Sequence, residues 1–252
     1  MTDTDEPIPA ATLVLMRPAG AGAPELLMIE RTADMAFAAG ALVFPGGRID
    51  PDDHLVAERI GEGLDHAPAR VAAIRETIEE TGLCPALFAP VAPESVSQIR
   101  QELEEGTPFS ALIEAYRLRF DWSALTPFAR WCPNFKEARR FDTFFFLAEA
   151  PSDVAEATAA PAEAVRSLWT SAADVLDEIA AGHARAIFPT RRNLERLARF
   201  GSLEEARADA LRYPVRKVVP WIEEREGSRW LCIPDDLGYP VTAEPLKTAR
   251  RF

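Results

Sequence analysis

The chain has 252 residues, 48% of them hydrophobic. That is enough for one sizeable domain with attachments, or for two small ones, and it excludes a disordered chain. The formal net charge of -12 excludes nucleic acid as a bulk partner, and a phosphate-bearing substrate would need local help from metal ions or a confined basic patch. Met1 to Ala10 is acidic, without a basic start or an apolar core, and reads as a loose tail rather than a signal peptide. Ala11 to Arg17 and Glu25 to Glu30 read as the strands of a hairpin around the turn Pro18 to Pro24. Ala41 to Phe44 is a third short apolar run, stopped by Pro45-Gly46-Gly47, where paired glycines let a ligand approach the main chain. Pro51 to Ala67 is polar and reads as an excursion from the surface, with room for a short helix. Pro68 opens a helix that runs to Thr81 and stops at Gly82, with Val71, Ile74 and Ile78 as its buried stripe.

Ser95 to Glu105 and Phe109 to Arg119 read as helices, and Trp122 to Arg130, Phe141 to Ala150 and Val165 to Thr170 as strands. Ser171 with Asp174, and Ser202 with Glu205, have capping-box spacing. They open a helix through Ala181 and the second of two helices, Thr190 to Phe200 and Ser202 to Leu211, split by Gly201. Val215 to Ile222 and Arg229 to Ile233 are β-like runs around a turn. Hairpins early and helices late favour an α/β sandwich with a mixed sheet. Cys84, Cys132 and Cys232 are widely spaced, as free thiols in a reducing cytoplasm are, and no apolar run reaches the ~18–20 residues that span a bilayer. The expectation is a cytoplasmic chain with no membrane partner.

Glu76, Glu79 and Glu80 fall at i, i+3 and i+4, on one helix face. Three carboxylates there repel one another, and the buried stripe is already supplied. Two readings stand. One is a solvated acidic face, as most such clusters are. The other is a site for Mg2+ or Mn2+, hard ions that prefer carboxylate oxygens and relieve the repulsion. The upstream glycine pair adds a carbonyl oxygen to the second reading.

Arg75-Glu76-Thr77-Ile78-Glu79-Glu80-Thr81-Gly82-Leu83, preceded by Phe44-Pro45-Gly46-Gly47, resembles the signature of the Nudix hydrolases. That signature is a glycine, five residues, a glutamate, seven residues, then R-E-U-x-E-E-x-G-U, with U aliphatic. Thr77 departs from it where an aliphatic residue is usual. Gly47 and Arg75 are twice as far apart as the pattern has them, and Asp53 stands where the first glutamate would fall. Pro51 to Ala67 then reads as an insertion between the glycine loop and the helix. Leu27, Arg31, Gly40 and Phe44 to Gly47 also resemble the upstream signature of coenzyme A diphosphatases, with Ala36 in place of a second arginine. Leu125 to Phe128, Arg139 to Phe146 and Phe188 to Arg192 are similar to the branch that includes the peroxisomal coenzyme A diphosphatase.

The resemblance implies a Nudix-type α/β/α sandwich over residues 11–212, with a helical insertion at about 51–67 and a C-terminal extension over 213–252. It implies a metal-dependent hydrolase of a nucleoside diphosphate linked to another group, coenzyme A or acyl-CoA first. ADP-ribose or another dinucleotide is the alternative, and a non-catalytic nucleotide-binding module the alternative of another class. Glu76, Glu79 and Glu80 would hold Mg2+ or Mn2+ with the Gly46 carbonyl, and Arg75 would hold a box carboxylate in place. Arg31, Phe44, Gly47, Arg139 and Arg140 would contact substrate, and Lys136 belongs to the same basic cluster. That cluster also reads as ordinary solvated charge. Glu137, on a later loop, is a candidate base beside the three glutamates. Phe141, Phe144, Phe145 and Phe146 read as core more than as a stacking platform, and His54, His66 and His183 as surface residues. The expected partner is a nucleotide-type small molecule, with a homodimer as candidate assembly.

Overall fold

The computed structural model describes residues 6–20, 22–32, 38–60, 63–134, 140–151 and 164–249. In chain order come β1 (Ile8–Arg17), β2 (Glu25–Arg31), β3 (Leu42–Val43), β4 (Gly46–Arg48), α1 (Pro51–Ile60) and α2 (Ala67–Thr81). Then follow α3 (Pro93–Glu104), α4 (Phe109–Ala115), β5 (Thr126–Trp131), β6 (Phe141–Glu149), β7 (Ala164–Ser171), α5 (Ala172–Ala181), α6 (Phe188–Leu197) and α7 (Leu203–Ala210). The chain closes with β8 (Lys217–Val218), β9 (Trp221–Arg225), β10 (Ser228–Cys232), β11 (Ala243–Pro245) and α8 (Leu246–Ala249).

The main sheet runs β3-β2-β1-β6-β5-β8, with β4 also on β1 and β7 also on β2. β1 lies parallel to β6, from Ile8 opposite Phe141 to Met16 opposite Glu149. β2 and β4 are antiparallel to β1, so the sheet is mixed, as expected. Alternation along β1 serves two cores, because successive side chains leave opposite faces. Ala11, Leu13 and Leu15 join Val71, Ile74 and Ile78 of α2 and Ile99, Phe109 and Leu112 of α3 and α4. Val14 and Met16 join Val175, Leu194 and Ala206 of α5, α6 and α7. The result is an α/β/α sandwich.

Several expectations change. Ile8 to Ala10, read as tail, are already strand and pair with β6. Gly46 and Gly47, read as a loop, are the strand β4, with Thr12 opposite Gly46 and Ala11 opposite Gly47. Trp122 to Ala124 form a 3-10 turn rather than strand, because the Asp121 carboxylate accepts from Ser123 N. The polar stretch from Pro51 is not a surface excursion. Its α1 turns Asp53, Val56 and Ala57 inward, a helical i, i+3, i+4 face whose first member is a carboxylate. That carboxylate hides the periodicity.

The end of the chain enters the same interior. β8 pairs parallel with β5, while β9, β10 and β11 form a separate three-stranded sheet. Leu231, Ile233, Leu237, Tyr239 and Leu246 lie in the core with Trp131. Trp131 Nε1 donates to the buried Tyr239 hydroxyl at 2.8 Å, and that hydroxyl lies 3.1 Å from Asn193 Oδ1. Tyr239→Phe leaves a buried donor and a buried acceptor unpaired, and is expected to cost ~1–3 kcal/mol. Urea unfolding followed by tryptophan fluorescence measures it. An unchanged midpoint would mean that this segment is not part of the cooperative unit.

Candidate active site

The site starts from helix α2. Pro68 sits in its first turn, and Gly82 ends it at a left-handed φ of 68°, its N–H donating to Ile78 O. Val71, Ile74 and Ile78 are fully buried against the sheet. Thr77, where an aliphatic residue is usual, is also fully buried, and its hydroxyl is satisfied by donating to Ala73 O at 2.7 Å. That packing turns Arg75, Glu76, Glu79 and Glu80 toward β4 and α1.

Arg75 is the hub. Its Nε and Nη2 donate to Asp53 Oδ1 and Oδ2 at 3.0 and 2.9 Å, a bidentate pair with a carboxylate that has no exposure. Nη2 also donates to Arg48 O at 2.9 Å and lies 3.6 Å from Asp50. Nη1 donates to Glu76 Oε1 at 2.9 Å and to Glu79 Oε2 at 2.8 Å. Glu80 meets the same strand, β4, at Gly46: its Oε2 accepts from Gly46 N at 2.8 Å, and its Oε1 lies 3.8 Å from Arg31 Nη1.

The two glycines have different reasons. A Cβ on Gly46 would fall 2.4 Å from Ala11 O and 2.7 Å from Thr12 Cα, so only glycine lets β4 pair with β1 there. A Cβ on Gly47 would fall 2.4 Å from the Glu76 carboxyl carbon, so glycine leaves room for that carboxylate against the strand.

Among the described residues, Asp50, Asp53, Glu76 and Glu79 thus crowd around the Arg75 guanidinium, and Glu80 lies beside Arg31. The excess shows in the acidities. Burial pushes the Glu76 carboxyl up to about 7, with Arg75 pulling it down and Glu79 adding to the rise. Burial likewise raises Asp53 above the ordinary carboxylate range despite Arg75. Among the described residues, no group of three or more acidic, histidine or cysteine side chains is placed so that it could hold a metal ion. The donor chemistry nevertheless fits a hard divalent cation: the groups are carboxylate and peptide oxygens, crowded and short of positive charge.

The other expected site residues fall in different places. Gly46, Gly47 and Arg31 stand at the cluster. Phe44 does not: alternation puts it with Leu42 in the core on the sheet face opposite α2, so its ring packs inside. Arg140 donates from Nη1 to Asn134 Oδ1 at 3.2 Å, and its carbonyl accepts from Ile8 N. Ala36, Lys136, Glu137 and Arg139 lie outside the described residues. Phe145 and Phe146 are core, and Phe144 is covered by the His66 ring and the Arg130 guanidinium. His54 and His66 are exposed, and His183 faces Glu178. The residue whose burial sequence reasoning missed is Asp53. Its signal was its position, six residues after Gly47, where the signature has its first glutamate.

A solved Nudix hydrolase from Alicyclobacillus acidocaldarius is similar to this chain at 32% identity, over 81% of this chain and 96% of that one, with a TM-score of 0.71. A MutT protein from Methanosarcina mazei Go1 is similar at 16% identity, over 77% and 96% of the two chains, with a TM-score of 0.44. A Nudix domain from Shewanella oneidensis, complexed with ADP ribose, is similar at 17% identity, over 77% and 88%, with a TM-score of 0.43. No family model and no curated protein matches the chain. No helix among the described residues is long and apolar enough to cross a membrane.

The glycines give paired expectations. Gly46→Ala sets a methyl against backbone and is expected to lose stability by ~2 kcal/mol or more. Gly47→Ala meets only the end of a flexible side chain and is expected to lose under ~1 kcal/mol, displacing the Glu76 carboxylate instead. Chemical denaturation of both variants checks this, and equal losses would contradict it.

Proposed function

This chain belongs to the Nudix hydrolase family, and on that premise we propose that it cleaves the phosphoanhydride bond of coenzyme A or acyl-CoA with Mg2+ or Mn2+. The observation that carries the metal reading is the Arg75 hub. One guanidinium holds Glu76 and Glu79 by single oxygens while Gly46 N–H holds Glu80, so three carboxylates leave one stretch of α2 in fixed directions. Glu76, Glu79 and Glu80, with the Gly46 carbonyl, would hold the ion. Bound there, a divalent cation supplies positive charge to activate water and to neutralise the phosphate oxygens.

The remaining work falls to the chain itself. Water adds its oxygen to one phosphorus as the bridging P–O bond breaks, and its proton ends on the phosphate products. Arg31, whose guanidinium is mostly buried beside Glu80, would grip a substrate phosphate as that bond turns over. Arg139 and Arg140, which precede β6 in the sequence, would do the same. The products would be 3′,5′-ADP and (acyl-)4′-phosphopantetheine. What supports coenzyme A over other nucleotides is the resemblance at Leu27, Arg31, Gly40 and Phe44 to Gly47, and at Phe188 to Arg192. Ala36, in place of an arginine, keeps ADP-ribose as the second reading.

Incubation with coenzyme A, acyl-CoA and ADP-ribose, each with Mg2+ and with Mn2+, decides between them. Release of 3′,5′-ADP is expected, and its absence with every coenzyme A substrate would sink the first reading. Glu79→Gln and Glu80→Gln are each expected to lower turnover by at least ~100-fold. Full activity in both would overturn the metal assignment.

A pH dependence follows from Glu76. A carboxyl with its folded pKa raised to about 7 favours folding while protonated. That contribution is complete below its unfolded value and is lost as pH rises through about 7. A cation competes with that proton. The rise in Tm on adding Mn2+ is therefore expected to be larger at pH 8 than at pH 6, and to vanish in Glu76→Gln. Thermal unfolding at the two pH values measures it, and a larger rise at pH 6 would refute it.

A further inference from the structure

Helix α4 lacks a cap of its own, since Pro108 precedes it and makes no side-chain bond there. The first N–H groups of a helix need acceptors from elsewhere. Asp52 supplies one across 58 positions: Ser110 N donates to its Oδ2 at 2.8 Å, and the Ser110 hydroxyl donates to its Oδ1 at 2.6 Å. Both oxygens of Asp52 are thus engaged by one residue of α4. The next residue in the chain is Asp53, whose two oxygens hold Arg75. Asp53 Oδ2 also accepts from Asp50 N at 2.8 Å, which closes the first turn of α1 on itself. Neighbouring carboxylates on one helical turn therefore reach in two directions, one to α4 and one to α2.

A bidentate guanidinium–carboxylate pair has strict geometry. Whatever fixes the first turn of α1 thus fixes the plane of Arg75, and Arg75 Nη1 sets Glu76 and Glu79. We propose that Asp52 is a positioning residue for the carboxylate cluster: its bonds to Ser110 use helix α4 as a fixed post, and through Asp53 and Arg75 that post holds the oxygens of Glu76 and Glu79 in register for a divalent cation. This rests on reading the cluster as a cation site. It assigns a role to α4 and to the first turn of α1, which lie outside the three glutamates that would hold the ion. A second tie joins the same two helices, the exposed pair Arg59–Glu114. It contacts neither Asp53 nor Arg75, and so serves as an internal control.

The test is Mn2+ titrated into the purified 252-residue chain without substrate, well below its unfolding temperature, with the free ion followed by electron paramagnetic resonance. Asp52→Ala is expected to weaken Mn2+ binding by about tenfold, the size of loss that follows removal of a group orienting a metal ligand. Ser110→Ala keeps the backbone bond and is expected to show a smaller loss in the same direction. Arg59→Ala is expected to bind as the wild type does. Thermal unfolding runs in parallel. A plain helix cap would lower Tm in Asp52→Ala and leave Mn2+ affinity unchanged, and that result overturns the proposal. Equal losses of affinity in Asp52→Ala and Arg59→Ala overturn it too. If Asp52→Ala does not fold, Ser110→Ala carries the test, and wild-type affinity there is the negative result. A wild type that binds no Mn2+ overturns the cation-site reading together with the proposal. A wild type that binds, with Asp52→Ala equal to it, overturns the positioning role alone.

Discussion

A buried carboxylate has to be matched, and in this chain Asp53 is matched by Arg75. Asp53 has no exposure, and burial raises its carboxyl above the ordinary carboxylate range. The guanidinium fork that keeps it in place comes from a different helix and also binds the Arg48 carbonyl. Three elements, α1, α2 and β4, are therefore fixed relative to one another by a single side chain. Removing one partner of such a pair strands the other charge in the interior, at a cost of ~3–5 kcal/mol, a large part of a domain's net stability. The same fork cannot neutralise all that it touches. Arg75 faces Asp53, Glu76, Glu79 and Asp50, so one guanidinium is shared among four carboxylates.

The sheet prepares that arrangement. β1 is the strand against which both β4 and β6 pair, so the glycine strand is held flat on it. Gly46 exists for backbone pairing and Gly47 for the room it leaves to Glu76. Two adjacent glycines thus answer two separate demands, one of folding and one of the site. The fully buried face of α2 supplies the third constraint. It prevents the helix from rotating, and so directs Glu76 toward Gly47 and Glu80 toward Gly46.

What was legible in the sequence was local. The stripe Val71, Ile74, Ile78, the stop at Gly82 and the caps Ser171 and Ser202 depend on neighbours within a turn or two, and the structure has them as expected. The mixed sheet was legible for the same reason, from apolar runs and the turns between them. Long-range pairing was not. Nothing within a few residues of Gly46 announces that it is a strand opposite Thr12, or that Lys217–Val218 joins β5. Phe44 looked like a site residue because it precedes the glycines, but strand alternation carried it to the opposite face. Asp53 was masked by its charge, because a helix face that begins with a carboxylate looks solvated until its partner, 22 positions later, is in place.

The distance in sequence between the glycine strand and helix α2 is governed by unequal energies. Gly47 and Arg75 stand 28 positions apart. Doubling a loop costs only ~0.6 kcal/mol in closure entropy. The buried Asp53–Arg75 pair is several times more costly to break. The chain between them is also not idle: α1 buries Val56 and Ala57 and lends Asp52 to α4. The spacing between the glycine strand and the glutamate helix is therefore a loose constraint, and the identity of the carboxylate that meets Arg75 is a tight one. On that account a segment can enter after Asp53 without disturbing the cluster, whereas the same segment placed before Asp53 would move the carboxylate away from β4.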